Sequence, residues 1–211
     1  MGERWRGCVS GLRERKKERT RQTLSDIAVA LFLEKGFDAV SVAEIAAAAE
    51  VSKPTLFRYF PAKEDLVLHR FADHEDEPAR VVAAAREAGT APLDALRDHV
   101  LAGLERRDPV TGLNDDPRVL AFLRLLYGTP ALVARMHAYQ GRSEELLAGA
   151  LGGDDPLAAR LAAAQVVAVL RVLAEENVRR ITAGERVEEV LPAAVAATRL
   201  AFGRLGAGLP Y

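Results

Sequence analysis

Residues 51–66 combine aromatic, cationic and hydroxyl-bearing side chains in the order VSKPTLFRYFPAKEDL. Phe57 and Phe60 are three residues apart, which is the spacing of one helix face. We therefore expect a short helix that buries Leu56, Phe57 and Phe60 and keeps its polar face outside. The same pattern also fits an amphipathic helix whose polar face is merely solvated.

The polar face of this helix has the side chains that double-stranded DNA requires. Lys53 and Arg58 can reach guanine acceptors, and Thr55 can reach a base edge or a thymine methyl group. Tyr59 lies on the same face, and tyrosine hydroxyls contact phosphates. Lys63 opens the next predicted helix, where its ammonium and the first-turn N–H groups can hold a second phosphate. Hydroxyl groups at other predicted helix starts can do the same.

Helix signals around this segment predict four helices in the first eighty residues. A first helix should run from about Leu12 to Lys35, where apolar residues recur at helical spacing. Ser41 and Ser52 are N-cap candidates for two short helices. A fourth helix is expected from Lys63 to about His74. Two short helices joined by a tight turn predict a helix-turn-helix core.

The remaining sequence continues in helical patterns that are punctuated by prolines. Pro117, Pro130 and Pro156 stand near the starts of predicted helices, and the helix after Asp155 should contain about 27 residues. A last helix is kinked or started by Pro192. Without any segment of strand periodicity, the sequence predicts an all-α fold.

Composition narrows the possible classes of protein. The chain has 49% hydrophobic and 28% charged residues, which is typical of a globular protein. A single cysteine, Cys8, excludes an intrachain disulfide framework and a cysteine-based zinc site. No uninterrupted apolar run approaches the roughly 20 residues of a membrane span, and no secretory signal is recognisable. We expect a cytoplasmic protein without a membrane partner.

Charge is distributed unevenly along the chain. Residues 1–63 contain 12 Lys and Arg against 8 Asp and Glu, whereas the remaining residues contain 17 against 22. A basic N-terminal part on an acidic body indicates that only the N-terminal part meets a polyanion.

The stretch from Thr20 to about Phe71 resembles the DNA-binding domain of the TetR family of bacterial transcriptional regulators. The resemblance lies in TLSDIAVALFLEKGFDAVSVAEIAAAAEVSKPTLFRYFPAKEDLV. It implies that the helix of Lys53 to Tyr59 lies in the major groove and that Tyr59 and Lys63 hold phosphates. The predicted DNA-contacting residues are Thr20, Ser41, Ser52, Lys53, Pro54, Thr55, Arg58, Tyr59 and Lys63.

Two positions depart from the family pattern. The turn before the recognition helix usually has glycine where this chain has Glu50, so we expect either a different backbone in this turn or a strained Glu50. Some members read a base with an arginine where this chain has Ala43. Base reading is thus expected to depend on the recognition helix.

The sequence predicts three regions. Residues 1–19 are expected to form a flexible basic arm that either enters the minor groove or is only a frayed terminus. Trp5 and Cys8 have no assignable role there. Residues 20–63 form the predicted helix-turn-helix DNA-binding domain, and residues 64–211 form a helical domain for effector binding and dimerisation.

The predicted domain at residues 64–211 contains two candidate surfaces. The helix after Asp155 is apolar on both sides, which indicates burial against its own core and against a second subunit. With the last helix it would form a four-helix bundle in a homodimer, as in the resembled family. The predicted interface residues are Leu161, Val169, Val172, Ala194, Ala197 and Ala201. The predicted effector-pocket residues are Phe122, Leu126, Tyr127, Met136, Tyr139 and Asn177.

The most economical function is a DNA-binding repressor that is released by a small, mainly apolar effector. A regulator controlled by a protein partner or by a metal is the alternative, and His69, Asp73, Asp76 and Glu77 are the nearest approach to a metal site. An all-α enzyme is a distant third possibility, because no zinc pair, phosphate loop or nucleophile motif is recognisable. No cofactor, catalytic residue or metal ligand is predicted.

Overall fold

The computed structural model describes the backbone of residues 4–207 and the side chains of residues 15–71 and 74–207. Over this range the chain forms ten α-helices, two short 3-10 helices and no β-strand, which confirms the predicted all-α fold. The helices are α1 (Arg4–Lys35), α2 (Val42–Ala48), α3 (Lys53–Tyr59), α4 (Asp65–Leu68), α5 (Glu77–Glu87), α6 (Pro92–Glu105), α7 (Pro117–Gly128), α8 (Pro130–Leu151), α9 (Pro156–Thr182) and α10 (Val187–Ala207).

The chain divides into two compact units. The first contains the chain up to Ala72 together with Leu125–Arg135. The second contains Asp73–Arg124 and the chain from Met136 onward. The first unit is thus larger than the predicted domain of residues 20–63, and it includes a segment that is distant in sequence.

The first unit is built on one face of α1. Leu24, Ala28 and Phe32 are buried and recur every four residues, as a helix face that packs on a core requires. Ser25 is also buried, and its hydroxyl donates to the carbonyl of Leu66 at 2.7 Å. This bond satisfies a polar group inside the core and joins α1 to α4. Helix α2 packs against α1, and α3 packs against α2.

Helix α1 extends further toward the N-terminus than the predicted helix. The backbone of residues 4–19 belongs to the same continuous helix as residues 20–35, so the described part of the predicted flexible arm is helical. The sequence explains this, since Arg, Lys, Glu and Gln dominate residues 13–22 and all have high helix propensity. Trp5, Cys8 and the side chain of Arg13 lie outside the described side chains.

The continuous helix predicted from Lys63 to His74 is wrong. Helix α4 contains only four residues, and residues His69–His74 form a 3-10 helix. Pro78 has no N–H to donate to the carbonyl of His74, so the helical hydrogen-bond ladder is interrupted between this segment and α5. The 3-10 geometry of His69–His74 lies before that interruption.

The second unit is organised around α6, α9 and α10. Helix α10 packs against both α6 and α9. Asp155 caps α9 by accepting from the N–H groups of Leu157 at 2.9 Å and Ala158 at 3.2 Å, and Pro156 occupies the first turn. The predicted cap and the predicted length of 27 residues are both confirmed. By length and composition α9 could also cross a membrane, and 22% of its most apolar window is buried.

Candidate functional site

Helix α3 begins at an N-cap that the sequence predicts. The hydroxyl of Ser52 accepts from the N–H of Thr55 at 3.2 Å, and Pro54 lies in the first turn. Leu56 and Phe60 are buried, but Phe57 is 46% exposed, so its predicted burial is wrong. Residues four apart on this helix share the buried face, and Phe57 is displaced from Leu56 by one residue, which turns it outward.

The exposed face of α3 is formed by Lys53, Pro54, Phe57 and Arg58. The guanidinium of Arg58 lies 5.5 Å from the centre of the Tyr59 ring, in cation–π contact. This contact orients the two side chains together. The structure thus brings the predicted cations Lys53 and Arg58 to one surface.

The predicted base reader Thr55 is less accessible than Lys53. Its side chain is half-buried, and its hydroxyl lies 2.8 Å from the hydroxyl of Ser52. The two hydroxyls form a hydrogen bond in which either can be the donor. Thr55 therefore helps to fix the start of α3, in addition to any contact with a ligand.

Lys63 is held by the first unit itself. Its ammonium donates to the carbonyl of Phe37 and lies 4.2 Å from the centre of the Phe37 ring. It also lies 5.3 Å from the Phe32 ring. An ammonium has three donor hydrogens, so two can still meet a phosphate. Lys63 lies in the turn before α4 and not within the helix, because α4 begins at Asp65.

Of the two hydroxyls predicted at other helix starts, Ser41 is confirmed as an N-cap and Thr20 is not. The hydroxyl of Ser41 accepts from the N–H of Glu44 at 3.2 Å. Thr20 lies in the interior of α1, where its hydroxyl donates to the carbonyl of Lys16 at 2.9 Å. The N–H groups beside Thr20 are used within the helix, so Thr20 offers no helix start to a phosphate.

A surface ion pair lies at the end of α1. The ammonium of Lys35 is 2.5 Å from a carboxylate oxygen of Glu44, which lowers the pKa of Glu44 and raises the pKa of Lys35. The charge of Lys35 is therefore compensated locally, whereas no described side chain forms an ion pair with Lys53 or Arg58.

The turn between α2 and α3 has the strain predicted for Glu50. Its φ is 54°, in the left-handed region that glycine adopts most readily. The N–H of Glu50 donates to the carbonyl of Ala47 at 3.1 Å, and the N–H of Val51 donates to the carbonyl of Ala46 at 2.9 Å. These two bonds form a Schellman motif, which ends α2 and sets the direction of α3.

The predicted pocket residues are divided between the two units. Leu126 and Tyr127 belong to the first unit, and Phe122, Met136, Tyr139 and Asn177 belong to the second. Asn177 is buried, and its amide donates to the carbonyl of Thr111 at 2.8 Å. This bond anchors the 3-10 helix Pro109–Thr111, so the amide has a structural partner.

A cleft of about 700 Å³ lies in the second unit between α6 and α10. Its volume is in the range of small-molecule sites, but none of the six predicted pocket residues lines it. Arg97 lies in this cleft and is paired with Asp94 at 2.7 Å and Asp98 at 2.9 Å. The cleft is lined by Ala91, Leu93, Asp94, Arg97, Asp98, Leu101, Arg199, Phe202, Gly203 and Gly206.

The predicted interface residues fall into three groups. Leu161, Val172 and Ala197 are exposed, and the first two are 55% and 53% exposed. Val169 and Ala201 are half-buried. Ala194 packs in the core of its own chain, where it cannot present its side chain to a partner. Two further exposed apolar residues on the same helices, Leu157 and Leu200, were not predicted.

The histidines near the segment that comes nearest to a metal site in the sequence have carboxylate neighbours. His74 Nδ1 lies 2.8 Å from one Glu77 oxygen, and His99 Nε2 lies 3.1 Å from the other. The hydrogen bond with His74 is the main reason that the pKa of Glu77 is lowered. His69 instead lies 3.1 Å from Glu18. Among the described residues, no group of three or more potential ligands could hold a metal ion.

The chain is similar to known protein families and to known regulators. The family model of bacterial regulatory proteins of the tetR family matches residues 24–69, which include α2, α3 and α4. The HTH-type transcriptional regulator TcmR of Streptomyces glaucescens is 36% identical over 173 residues. The alignment covers 79% of this chain and 76% of TcmR.

Solved structures share the fold. NalD of Pseudomonas aeruginosa, the secondary repressor of the MexAB-OprM multidrug efflux pump, matches with a TM-score of 0.57 and 20% identity, over 88% of this chain and 97% of NalD. A TetR-family regulator from Streptomyces coelicolor A3 matches with a TM-score of 0.53 and 24% identity, over 88% of this chain and 95% of the regulator. With the similarity to TcmR over most of both chains, these findings show that the chain belongs to the TetR family of bacterial transcriptional regulators.

Proposed function

We propose that the protein is a homodimeric transcriptional repressor that inserts α3 into the major groove of a palindromic operator. The observation that carries this proposal is the surface of α3, where Lys53 and Arg58 are exposed on a helix whose other side is anchored by Leu56 and Phe60. Cations on a rigid helix can contact phosphates and guanine acceptors without rearrangement of the core. Tyr59, Ser41 and Ser52 add hydroxyl groups for phosphates.

The test is DNA binding measured by fluorescence anisotropy across a salt series, with operators selected from genomic fragments. Lys53→Ala should reduce the salt slope by about one unit, because one phosphate or base contact is lost. Arg124→Ala is the matched control, since Arg124 is an exposed cation of the second unit. A slope equally reduced in both variants, or weak binding without sequence preference, would contradict the proposed role of α3.

The exposed apolar side chains of α9 and α10 support the proposed dimer. Leu157, Leu161, Val172 and Leu200 are large side chains that the single chain leaves more than half exposed. Complete burial of a fully exposed Leu or Val side chain contributes about 1.5–3 kcal/mol, so each of these partly exposed side chains would contribute roughly half of that in a symmetric pairing of the helices. A dimer would place two α3 helices about 34–36 Å apart, or at a multiple of that spacing.

The second unit offers a site for an effector in the cleft between α6 and α10. Its apolar surface from Leu93, Leu101 and Phe202 agrees with a mainly apolar molecule, and Arg199 adds a positive charge at the wall. An effector that binds more tightly to a conformation incompatible with DNA lowers DNA affinity by its differential binding free energy. Repression is proposed as the polarity, in line with the description of NalD as a repressor.

Control by a protein partner or a metal, without a small organic effector, is the alternative. Thermal unfolding in the presence of a panel of apolar molecules separates the two, because a ligand of the folded state raises the melting temperature. Gly203→Phe should reduce that rise, because Gly203 lines the cleft and a Cβ there meets open space, so the new ring occupies part of the site. A panel without any effect on melting or DNA affinity would favour the protein-controlled regulator.

A further inference from the structure

Phe57 presents an aromatic ring to solvent on the helix that is proposed to enter DNA. Single exposed apolar side chains are ordinary on protein surfaces, so exposure alone indicates little. Phe57, however, has an apolar neighbour on the same face, because the exposed Pro54 precedes it by three residues. The two side chains form one apolar patch, which we call the Pro54–Phe57 patch.

Cations flank this patch on the helix surface. Lys53 precedes Phe57 by four residues, and Arg58 follows Pro54 by four residues, so each cation is a neighbour of the patch. Both cations are exposed. A surface of this kind complements a partner that combines an apolar group with negative charge and hydrogen-bond acceptors.

The DNA major groove supplies such a combination at thymine. The C5-methyl group is the apolar feature of the groove, and it lies beside the O4 acceptor of thymine and between the phosphates. Phosphates and guanine acceptors require hydrogen-bond donors, which a phenyl ring lacks. The ring gains free energy only where it can be covered by an apolar group.

We propose that Phe57 reads a thymine methyl group in each operator half-site. The inference rests on the proposed function, in which α3 lies in the major groove, and it adds a specific base to that function. Covering one methyl group corresponds to about 0.8 kcal/mol, which is about a fourfold change in affinity per half-site.

Deoxyuridine substitution tests the inference, because it removes the methyl group and leaves base pairing and the O4 acceptor unchanged. Thymines of the selected operator are replaced one at a time in symmetric pairs, and the affinity of the full-length protein is measured by anisotropy. We expect one pair to weaken wild-type binding by about 15-fold, the product of two fourfold effects. Phe57→Ala should bind more weakly overall and should be insensitive to that pair.

Two further variants complete the design. Phe57→Leu keeps an apolar side chain and should retain part of the sensitivity to the methyl group. Leu33→Ala is the matched control, since Leu33 is 43% exposed in the same unit but lies on α1. It should show the wild-type loss on deoxyuridine substitution. Circular dichroism melting verifies that each variant is folded.

The inference is overturned if Phe57→Ala loses as much affinity as the wild type at every substituted thymine. It is also overturned if no thymine pair affects the wild type, which would indicate that the ring packs on deoxyribose or on a protein. Either result leaves the proposed function intact, provided that the wild type still selects one operator sequence. Failure of the wild type to bind any duplex selectively would remove the proposed function together with this inference.

Discussion

Replacing Glu50 with glycine should stabilise the first compact unit. Glu50 has a φ of 54° and occupies the position after the end of α2 that the Schellman motif reserves for a left-handed residue. Its N–H and that of Val51 close the motif with the carbonyls of Ala47 and Ala46. The backbone therefore cannot leave this conformation without losing two hydrogen bonds.

The size of the effect follows from two opposing contributions. A side chain with a Cβ costs about 1–2 kcal/mol in the left-handed region, and glycine removes that cost. Glycine also increases the conformational entropy of the unfolded chain, which costs about 0.5–1 kcal/mol. The expected net gain for Glu50→Gly is therefore about 0.5–1 kcal/mol, or about 1–4 °C in melting temperature for a chain of this length.

Two control substitutions separate backbone strain from charge. Glu50→Ala removes the carboxylate but keeps a Cβ, so it should not stabilise the protein. Arg107→Gly relieves the same φ of 54° at the end of α6, but it also removes an ion pair with Glu188 at 2.6 Å. That pair is exposed and screened by solvent, so its contribution is small and we expect Arg107→Gly to be nearly neutral.

The assay is thermal unfolding by circular dichroism together with hydrogen exchange of the Val51 amide, which reports locally on this turn. We expect the Val51 amide to exchange more slowly in Glu50→Gly, and not in Glu50→Ala. Equal stabilisation by Glu50→Ala would refute the reasoning, because the gain would then come from the lost charge. Both variants remove one negative charge beside α3, and we expect both to tighten DNA binding to a similar extent.

Three further substitutions test other parts of the structure. Lys63→Ala should lower the free energy of unfolding by about 1–2 kcal/mol in a denaturant titration, because it removes the contacts with Phe37, whereas Lys53→Ala should not. Leu161→Glu should convert a dimer to a monomer in analytical ultracentrifugation without loss of helix content, since this side chain is 55% exposed in the single chain. The pKa of Glu77 is lower in the folded protein than its ordinary value of about 4.3. Its contribution to stability is therefore present above about pH 4.3 and is lost as the pH falls through the lowered pKa. Glu77→Gln should accordingly destabilise the protein most above about pH 5.

Local signals in the sequence predicted the helix starts well. Ser41, Ser52 and Asp155 are N-caps in the structure, as predicted, because a cap requires only a side chain and the N–H groups two or three residues later. The lengths of α7 and α9 are likewise determined by nearby proline and cap residues. These features depend on short stretches of chain and not on the tertiary fold.

Burial within the short helix α3 could not be predicted in the same way. Leu56, Phe57 and Phe60 are all apolar, and a helix of seven residues is too short for periodicity to select between two adjacent faces. Tertiary packing buries the face of Leu56 and Phe60, whose ring lies 5.4 Å from the His69 ring, and leaves Phe57 outside. The only sequence signal for an exposed Phe57 ring was Pro54, which precedes it by three residues and lies on the same surface.

In the second unit, tertiary packing likewise determined which predicted interface and pocket residues are covered by their own chain. Ala194 has the small side chain expected at a helix–helix interface, but the interface that buries it lies within one chain. Aromatic residues such as Tyr139 suggested a pocket, yet the guanidinium of Arg142 covers its ring at 4.3 Å. Composition identifies residues that pack well, whereas the partner of each residue depends on contacts between distant segments.

We propose that α8, and not the continuous helix predicted from Lys63 to His74, links effector binding to the first unit. The predicted continuous helix is broken after Leu68, so it cannot transmit a rigid displacement. Helix α8 contributes residues to both compact units, and within the first unit Arg135 forms two hydrogen bonds with the carboxylate of Asp65, at 2.7 and 3.0 Å. The carbonyl of Leu66 in turn accepts from Ser25 of α1. An effector that favours another position of α8 would therefore act on α4 and α1 through directional bonds, with a coupling no larger than its differential binding free energy.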